Sequence, residues 1–303
     1  MTRRVLVTGA GGFLGTHCVQ ILAERGWEVI GVARRAREPM HPNVSWRVCD
    51  LLDARSTREL IGECSASHLL HLAWLPVHGN VMRAPENLDW IKASLTLVQA
   101  FKELGGVRAA AVGSSAEYCW DQGACVNGVT PLTPRSLYGA SKLALQIALS
   151  SYADVVGLGF VWPRVFFVYG PGEHDSRLVA SIVRSLLHGE EAECTAGTQR
   201  RDYLYVTDAA NGIVTALESN HTGPIDIASG NAIEVREMAI AVAREAGKPE
   251  LLKLGAKPSP EYLPPMVLGD PREAERILKW SPHISLDEGV SRTVAWGRTA
   301  FLT

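Results

Sequence analysis

The chain has 303 residues, and its 30 Lys and Arg against 32 Asp and Glu give a formal net charge of −2. This balance argues against a general nucleic-acid binder and against a membrane-surface protein, because both need a basic excess. The 47% hydrophobic and 20% charged content is that of a globular protein rather than a disordered one. No run approaches the ~18 apolar residues of a membrane span, and no signal-peptide core follows Arg3 and Arg4.

The cysteine and histidine spacings favour neither a disulfide framework nor a metal site. The six cysteines include no Cys-x-x-Cys pair. We therefore expect reduced thiols in a cytoplasmic protein, with a Cys119–Cys125 bond as the less favoured alternative. The nine histidines have no zinc-binding spacing, and we predict no metal.

The first 165 residues alternate short β-branched segments with helical periodicity, which is typical of β-α-β units around a parallel sheet. The strands are predicted at 5–8, 29–33, 46–49, 69–72, 109–112 and 158–162. Helices are predicted between them at 13–24, 54–62, 88–104 and 136–153, with Asp53 as the N-cap of the second.

After about residue 170 the pattern becomes mainly helical, with Gly- and Pro-rich links. Helices are predicted at 177–188, 206–218, 235–246, 271–280 and 286–299, the last two starting at Asp270-Pro271 and at a Ser285/Glu288 capping box. The sequence thus predicts an α/β protein with a Rossmann-like, doubly wound parallel sheet. Residues 1–165 are expected to bind the dinucleotide. Residues 166–303 are expected to form a smaller, mostly C-terminal substrate lobe, some of it returning to the first domain.

Gly9, Gly12 and Gly15 are spaced Gly-x-x-Gly-x-x-Gly at the first strand-to-helix junction. Glycines there allow a tight turn whose N–H groups, with the helix N-terminus, can bind a pyrophosphate. An ordinary turn is the alternative, but the flanking strand and helix favour a dinucleotide site.

The end of the second strand indicates which dinucleotide is bound. A carboxylate at this point commonly binds the ribose 2′-hydroxyl of NAD. Here Ala33 is followed by Arg34 and Arg35, whose guanidinium groups suit a 2′-phosphate, so NADP(H) is favoured over NAD(H). A solvated basic turn is the alternative. Asp50 is a candidate contact for the adenine amino group, or a helix cap beside Asp53.

Tyr138 and Lys142 lie four residues apart on one helix face, and Ser114 follows the fifth strand. A tyrosine of pKa ~10 becomes a usable acid or base at neutral pH beside a fixed cation. Lys142 would supply that cation and hold the nicotinamide ribose, while Ser114 would bind the reacting substrate oxygen.

With these residues the chain resembles the extended short-chain dehydrogenase/reductase family of nucleotide-sugar epimerases, reductases and dehydratases. The matching segments span nearly the whole chain: 8–15, Asp50-Leu51, 71–73, 114–118, 138–142, Arg164, 169–172 and 201–208. The resemblance implies that Ser114, Tyr138 and Lys142 are catalytic. It implies cofactor contacts from Gly9, Gly12, Phe13, Leu14, Gly15, Asp50, Leu51, Leu72, Ala73, Tyr138 and Lys142, beside Arg34 and Arg35.

The predicted substrate contacts are Ser115, Phe167, Arg177 and Arg201, of which Arg201 matches a family arginine that contacts the sugar-nucleotide diphosphate. The chain also departs from the family pattern. Ser115-Ala116 replaces the acid pair of the dehydratases, which argues against 4,6-dehydration, and Phe167 replaces the usual asparagine. No late arginine is evident at 259–269.

Two further segments have predicted roles. Residues 74–87 form either a substrate lid or a packed loop. Helix 136–153 is apolar almost all round, so a homodimer through helices 88–104 and 136–153 is expected.

The leading interpretation is an NADPH-dependent reductase of a nucleotide-activated 4-keto-6-deoxy sugar, with Tyr138 protonating the C4 oxygen. A nucleotide-sugar 4-epimerase using the same residues is the alternative. A non-catalytic NADP(H)-binding regulator is a third hypothesis, which the intact Ser114, Tyr138 and Lys142 disfavour.

Overall fold

The computed structural model describes residues 3–75, 81–259 and 264–302. The strands are β1 (Arg4–Thr8), β2 (Glu28–Ala33), β3 (Val44–Val48), β4 (His68–His71), β5 (Arg108–Ala111), β6 (Gly113–Ser114), β7 (Ala124–Cys125), β8 (Gly159–Val165), β9 (Phe167–Tyr169), β10 (Ala192–Glu193), β11 (Arg200–Tyr205), β12 (Gly223–Ile227), β13 (Ala232–Glu234), β14 (Leu252–Lys253) and β15 (Met266–Gly269). The α-helices are α1 (Phe13–Glu24), α2 (Ala54–Cys64), α3 (Asn87–Glu103), α4 (Leu137–Val156), α5 (Leu178–His188), α6 (Val206–Glu218), α7 (Val235–Glu245), α8 (Arg272–Leu278) and α9 (Leu286–Ala300).

The main sheet is parallel and has the strand order β3-β2-β1-β4-β5-β8-β12, with the short β6 also pairing with β8. The chain moves outward from β1 to β3 and then returns to place β4 on the other side of β1. Ligands of doubly wound sheets bind at this reversal, beyond the carboxyl ends of the strands. The predicted fold class is confirmed.

Helices cover both faces of the main sheet, as the alternation along β1 illustrates. Val5 and Val7 belong to a core that includes Leu22 of α1 and Ile213 of α6. Leu6, between them, belongs to a separate core built with α2, α3 and α4. Successive side chains of a strand point to opposite faces, so a strand buried on both sides is apolar throughout.

The residues after 165 contribute to both parts of the molecule. β11 pairs with β13, β15 and β9 in a second sheet, whereas β12 completes the main sheet beside β8. The predicted return of later segments to the first domain is therefore seen in β12. The division into two domains at residue 165 stays a prediction.

Most predicted element boundaries differ from the observed ones by one to three residues, for reasons visible in the contacts. β8 continues to Val165, because its last residues pair with β6 and β12. Asp53 caps α2 as predicted, accepting from the N–H groups of Arg55 and Ser56. Ser285 accepts from Glu288 N–H, but the Glu288 carboxylate pairs with Arg292, so only half of the predicted capping box forms.

All six cysteines are free thiols, including Cys119 and Cys125. In the part of the chain that the structure describes, no helix combines the length and apolar character needed to cross a membrane. Within the same ranges, no group of three or more His, Cys, Asp or Glu side chains could hold a metal ion.

Candidate active site

The glycine turn between β1 and α1 lies at the sheet reversal, against the end of β4. Gly9 has φ of +66°, and a Cβ there would lie 2.7 Å from the backbone nitrogen of Ala73, so glycine is required. The Gly12 N–H donates to the Gly9 carbonyl at 2.9 Å, and Gly15 is buried in the first turn of α1. Phe13 and Leu14, also predicted cofactor contacts, open α1 and are partly exposed.

The N-terminus of α1 is suited to an anionic group. No side chain caps it, and its first turn contains no acidic residue. Free N–H groups and the helix dipole favour a phosphate at such an end. The glycine turn and the α1 N-terminus therefore fit a dinucleotide pyrophosphate.

His71 supports this turn from inside the protein. Its Nδ1 lies 2.6 Å from the Thr8 hydroxyl on β1, and its Nε2 lies 2.8 Å from the Ser94 hydroxyl on α3. Burial, then the Lys142 charge, lowers the pKa of His71 to about 3, so the ring is neutral. The ring fixes the end of β4, where Leu72 is partly exposed and Ala73 is buried.

The basic segment after β2 also approaches the glycine turn. Arg34 and Arg35 are exposed. Arg37 donates to the Gly11 carbonyl at 2.9 Å, and its guanidinium lies 5.8 Å from the centre of the Trp46 ring. This contact to the turn was not predicted.

Asp50 and Leu51 lie between β3 and α2. Asp50 is exposed, and its carboxylate accepts from the Leu52 N–H at 3.1 Å. Leu51 is buried in the core beneath it. The carboxylate therefore orders the turn and is open to a ligand.

Ser114, Tyr138 and Lys142 come together because α4 packs closely on the turn that follows β6. Ser136 caps α4 by accepting from the Gly139 N–H at 3.0 Å. A Cβ at Gly139 would collide with the Ala116 carbonyl oxygen, so glycine allows the close approach. The Ser114 side chain then hydrogen-bonds Tyr138, which lowers the pKa of a phenol that burial raises.

Lys142 is a buried cation at the centre of the site. Its ammonium donates to the Val112 carbonyl at 2.9 Å and lies 3.8 Å from the centre of the Trp74 ring. Burial lowers the pKa of Lys142 to about 7, against the opposing effect of the Glu117 charge. Trp74 also contacts Tyr138 edge to face, with ring centres 6.4 Å apart. Strongly shifted pKa values beside a cleft are typical of functional sites.

A cavity of about 830 Å³ opens beside the Tyr138 end of α4, where Ser136 and Leu137 line it. Trp120, Phe167 and Tyr203 form an aromatic wall, in which the Phe167 ring centre lies 6.2 Å from each of the other two. Its cationic lining residues are Arg83, Arg135, Arg201 and Lys257. The cavity thus offers aromatic faces and positive charge together.

Only two of the four predicted substrate contacts line this cavity. Phe167 and Arg201 line the cavity, and the Arg201 guanidinium lies 5.5 Å from the Phe167 ring centre. Arg177 is exposed and pairs with the buried Glu173 at 2.9 Å, and its charge lowers the pKa of Tyr138. Ser115 is buried, and its carbonyl accepts from the Trp120 indole at 2.6 Å.

The segment at 74–87 is only partly described, since residues 76–80 lie outside the described residues, as do 260–263 of the 259–269 segment. Trp74 contacts Lys142 and Tyr138, and the Met82 carbonyl accepts from the Tyr138 N–H at 3.2 Å. Sequence reasoning missed Trp74 and Glu117 beside the Ser-Tyr-Lys cluster, and Trp120 and Tyr203 in the cavity wall. A tryptophan directly after the β4 end, and an acid within a serine-rich turn, were the available signals.

The parallel sheet, the glycine turn and the Ser-Tyr-Lys cluster define a Rossmann-type oxidoreductase that uses a nicotinamide dinucleotide. A sequence model described as the NAD dependent epimerase/dehydratase family matches residues 5–228. The chain belongs to this family, the extended short-chain dehydrogenase/reductases, and is an NAD(P)-dependent enzyme of the oxidoreductase/epimerase type.

Several relatives are similar to this chain over nearly its full length. The UDP-glucuronate 4-epimerase of Thermodesulfobacterium geofontis is 25% identical, over 97% of this chain and 95% of its own. UDP-glucuronic acid decarboxylase 1 of Xenopus tropicalis is 26% identical, over 98% of this chain and 72% of its own. The Thermus thermophilus UDP-glucose 4-epimerase, solved in complex with NAD, has a TM-score of 0.86 and 28% identity, covering 98% of this chain and 99% of its own.

Proposed function

We propose that this chain is a nucleotide-sugar 4-epimerase, which oxidises and re-reduces C4 of its substrate. The observation that carries the proposal is the Ser114–Tyr138–Lys142 cluster between the glycine turn and the cavity. The 4-epimerases among the relatives support this over the reductase favoured by sequence alone. A bound nicotinamide dinucleotide supplies hydride acceptance and return.

In this proposal the protein side chains handle the proton and the orientation of the sugar. Tyr138 takes the proton of the C4 hydroxyl during oxidation and returns it during reduction. The Lys142 cation stabilises the phenolate and binds the nicotinamide ribose. Ser114 donates a hydrogen bond to the C4 oxygen as its charge changes.

The cavity lining supports a nucleotide sugar as the substrate class. Its cationic side chains would complement a diphosphate, and we propose Arg201, whose guanidinium lies against the Phe167 ring, for that contact. Aromatic rings such as Trp120 and Phe167 can pack against the apolar face of a sugar. We therefore propose Phe167 and Arg201 as substrate contacts in the cavity. Arg177 and Ser115, which do not line the cavity, are proposed as substrate contacts on their sequence positions alone.

The second candidate is the NADPH-dependent reductase of a nucleotide-activated 4-keto-6-deoxy sugar. The observation that favours it is the basic segment after β2, where Ala33 leaves no carboxylate to repel a 2′-phosphate and Arg34 and Arg35 are exposed. NADPH suits net reduction, since a reductase consumes one cofactor per product. In this alternative Tyr138 acts only as a proton donor.

Cofactor stoichiometry separates the two candidates. Purified protein is given nucleotide-linked hexoses with the oxidised cofactor, and 4-keto-6-deoxyhexoses with NADPH, while cofactor absorbance and product composition are followed. We expect two non-keto sugar nucleotides to interconvert with no net change in the amount of reduced cofactor. Loss of one NADPH per product formed would establish the reductase instead. Tight NADP(H) binding with no turnover of any sugar nucleotide would favour the regulatory hypothesis.

We also propose that NADP(H) is the preferred cofactor, on the strength of Ala33, Arg34 and Arg35. NADPH should bind about tenfold more tightly than NADH, a difference of roughly 1.4 kcal/mol. The double substitution Ala33→Asp with Arg34→Ser should remove or reverse this preference, as measured by fluorescence titration. Arg244→Ser, at an exposed arginine of α7, is the matched control and should not change the ratio. Equal dissociation constants in the parent protein would refute the preference.

A homodimer through helices 88–104 and 136–153 and a cytoplasmic location complete the proposal. Leu88 on α3 and Ile147 and Val155 on α4 are exposed apolar side chains that a second copy would cover. The free cysteines support a reducing compartment.

A further inference from the structure

Glu117 is a fully buried carboxylate directly behind the candidate active site. Its Oε1 accepts from the Ser114 backbone N–H at 2.8 Å. The same carboxylate accepts from the Trp162 indole at 3.0 Å and from the Arg164 Nε at 2.6 Å. Three donors from two elements therefore hold one acid in place, and one of them is the backbone of Ser114.

The local sequence makes room for this arrangement. Ser114 accepts from the Ala116 N–H, so Ser114 and Glu117 form a reciprocal capping box around a short 3-10 turn at Ser115–Glu117. A Cβ at Gly113 would collide with both the Trp162 indole nitrogen and the Glu117 carboxylate. The carboxylate thus packs directly against the backbone that carries Ser114.

The buried ion pair is anchored on its far side. Arg164, which is 1% exposed, also donates to Asn127 at 2.9 Å and to the Tyr118 hydroxyl at 3.3 Å. Tyr118 in turn donates to Asp226 at 2.9 Å. Removing one member of a buried pair leaves an uncompensated charge, so displacing the Glu117 carboxylate from this network would be costly.

The Glu117 charge also acts on both titrating members of the cluster. At Lys142, burial lowers the pKa and the Glu117 charge partly opposes that effect. At Tyr138, burial raises the pKa and the Glu117 charge adds to that effect. Arg177, from the segment before α5, also acts on Tyr138, and the Lys142 charge in turn acts on the neighbouring His71 of β4. His71 is neutral, and Arg177 opposes Glu117 at Tyr138.

We propose that Glu117 is a positioning residue of the active site, which fixes Ser114 through its backbone and places a carboxylate paired with Arg164 behind Tyr138 and Lys142. This role rests on the proposed function, because it concerns the same three side chains. It adds a residue that acts on the chemistry without touching substrate or cofactor. Its loss should change the electrostatics of the cluster as well as stability.

The test is a titration that needs no substrate. The tyrosinate signal of Tyr138 is taken as the ultraviolet difference between a protein and its Tyr138→Phe counterpart, followed against pH. In Glu117→Gln we expect tyrosinate at lower pH than in the parent, because a negative charge is lost and Arg164 is unmasked. Asp226→Asn is the matched control, since it removes an acid from the same network but not from beside Ser114. It should lower thermal stability and leave the Tyr138 titration unmoved.

An unchanged Tyr138 titration in Glu117→Gln, or an equal shift in Asp226→Asn, would overturn the proposal. If Glu117→Gln does not fold, Glu117→Asp decides instead, because its shorter side chain keeps the charge but cannot hold the same donors. That variant should lose about tenfold in kcat, with KM changed less than about threefold. A kcat within twofold of the parent would reject the positioning role. Absence of turnover in the parent would count against the proposed function alone, and the titration would still stand.

Discussion

Replacing Tyr138 by Phe is expected to lower turnover by about 10²–10⁴-fold while the fold and cofactor affinity are retained. The substitution removes only the hydroxyl that hydrogen-bonds Ser114 and leaves the ring packed against Trp74. The measurements are kcat with the sugar nucleotide that proves to be the substrate and the cofactor dissociation constant by fluorescence.

Tyr152→Phe is the matched control, since Tyr152 lies on the same helix and is partly buried. It should keep turnover within about twofold. Survival of turnover within a few-fold in Tyr138→Phe would remove this tyrosine from the proposed role.

Replacing Lys142 by Met should damage both binding and chemistry. The ammonium is proposed to hold the ribose and to stabilise the phenolate, so we expect turnover to fall by about 10²-fold or more and cofactor binding to weaken by about tenfold. Lys92→Met, at an exposed lysine of α3 that pairs with Asp89, is the control and should change neither quantity. Parent-like cofactor affinity in Lys142→Met would contradict the ribose contact.

The pH dependence should identify the same residue. The pKa of Lys142 is lowered to about 7, chiefly by burial. The ammonium form, which the proposal requires, is therefore present below that pH and lost as pH rises through it. In the parent protein kcat/KM should fall across this range, whereas Lys142→Arg keeps its charge and should lose this alkaline limb. A limb that persists in the arginine variant would belong to another group.

Burial decides which groups of this site carry charge, because it lowers the pKa of both Lys142 and His71. Lys142 and Glu117 are buried and Tyr138 is partly buried, so each charge has a large effect on its neighbours. His71 is nearby but neutral, so it serves as a hydrogen-bonded brace for β4 rather than as a competing acid. Such separation of roles is expected where a low dielectric makes uncompensated charge costly.

The sequence by itself determined the helices and six strands of the main sheet, in their order. These were predictable because side-chain periodicity depends only on local geometry. The strand β12, which completes the main sheet, and the strands of the second sheet were not predicted. The glycine turn, Tyr138 and Lys142 were equally readable, since their spacing along one turn or one helix face already sets their relation. Ser114 and Arg201 were identified as site residues from the motifs of the family that the chain resembles.

Tertiary structure alone decided which distant residues complete the site. Arg164 meets Glu117 from 47 positions away in the chain, and Trp74 covers Lys142 from a different strand end. The contact of Gly139 with Ala116, which brings α4 to the Ser114 turn, likewise joins two segments that no local pattern connects. Such contacts depend on how whole faces pack, and the pKa values that they produce depend on the resulting burial. Local propensities carry no information about either.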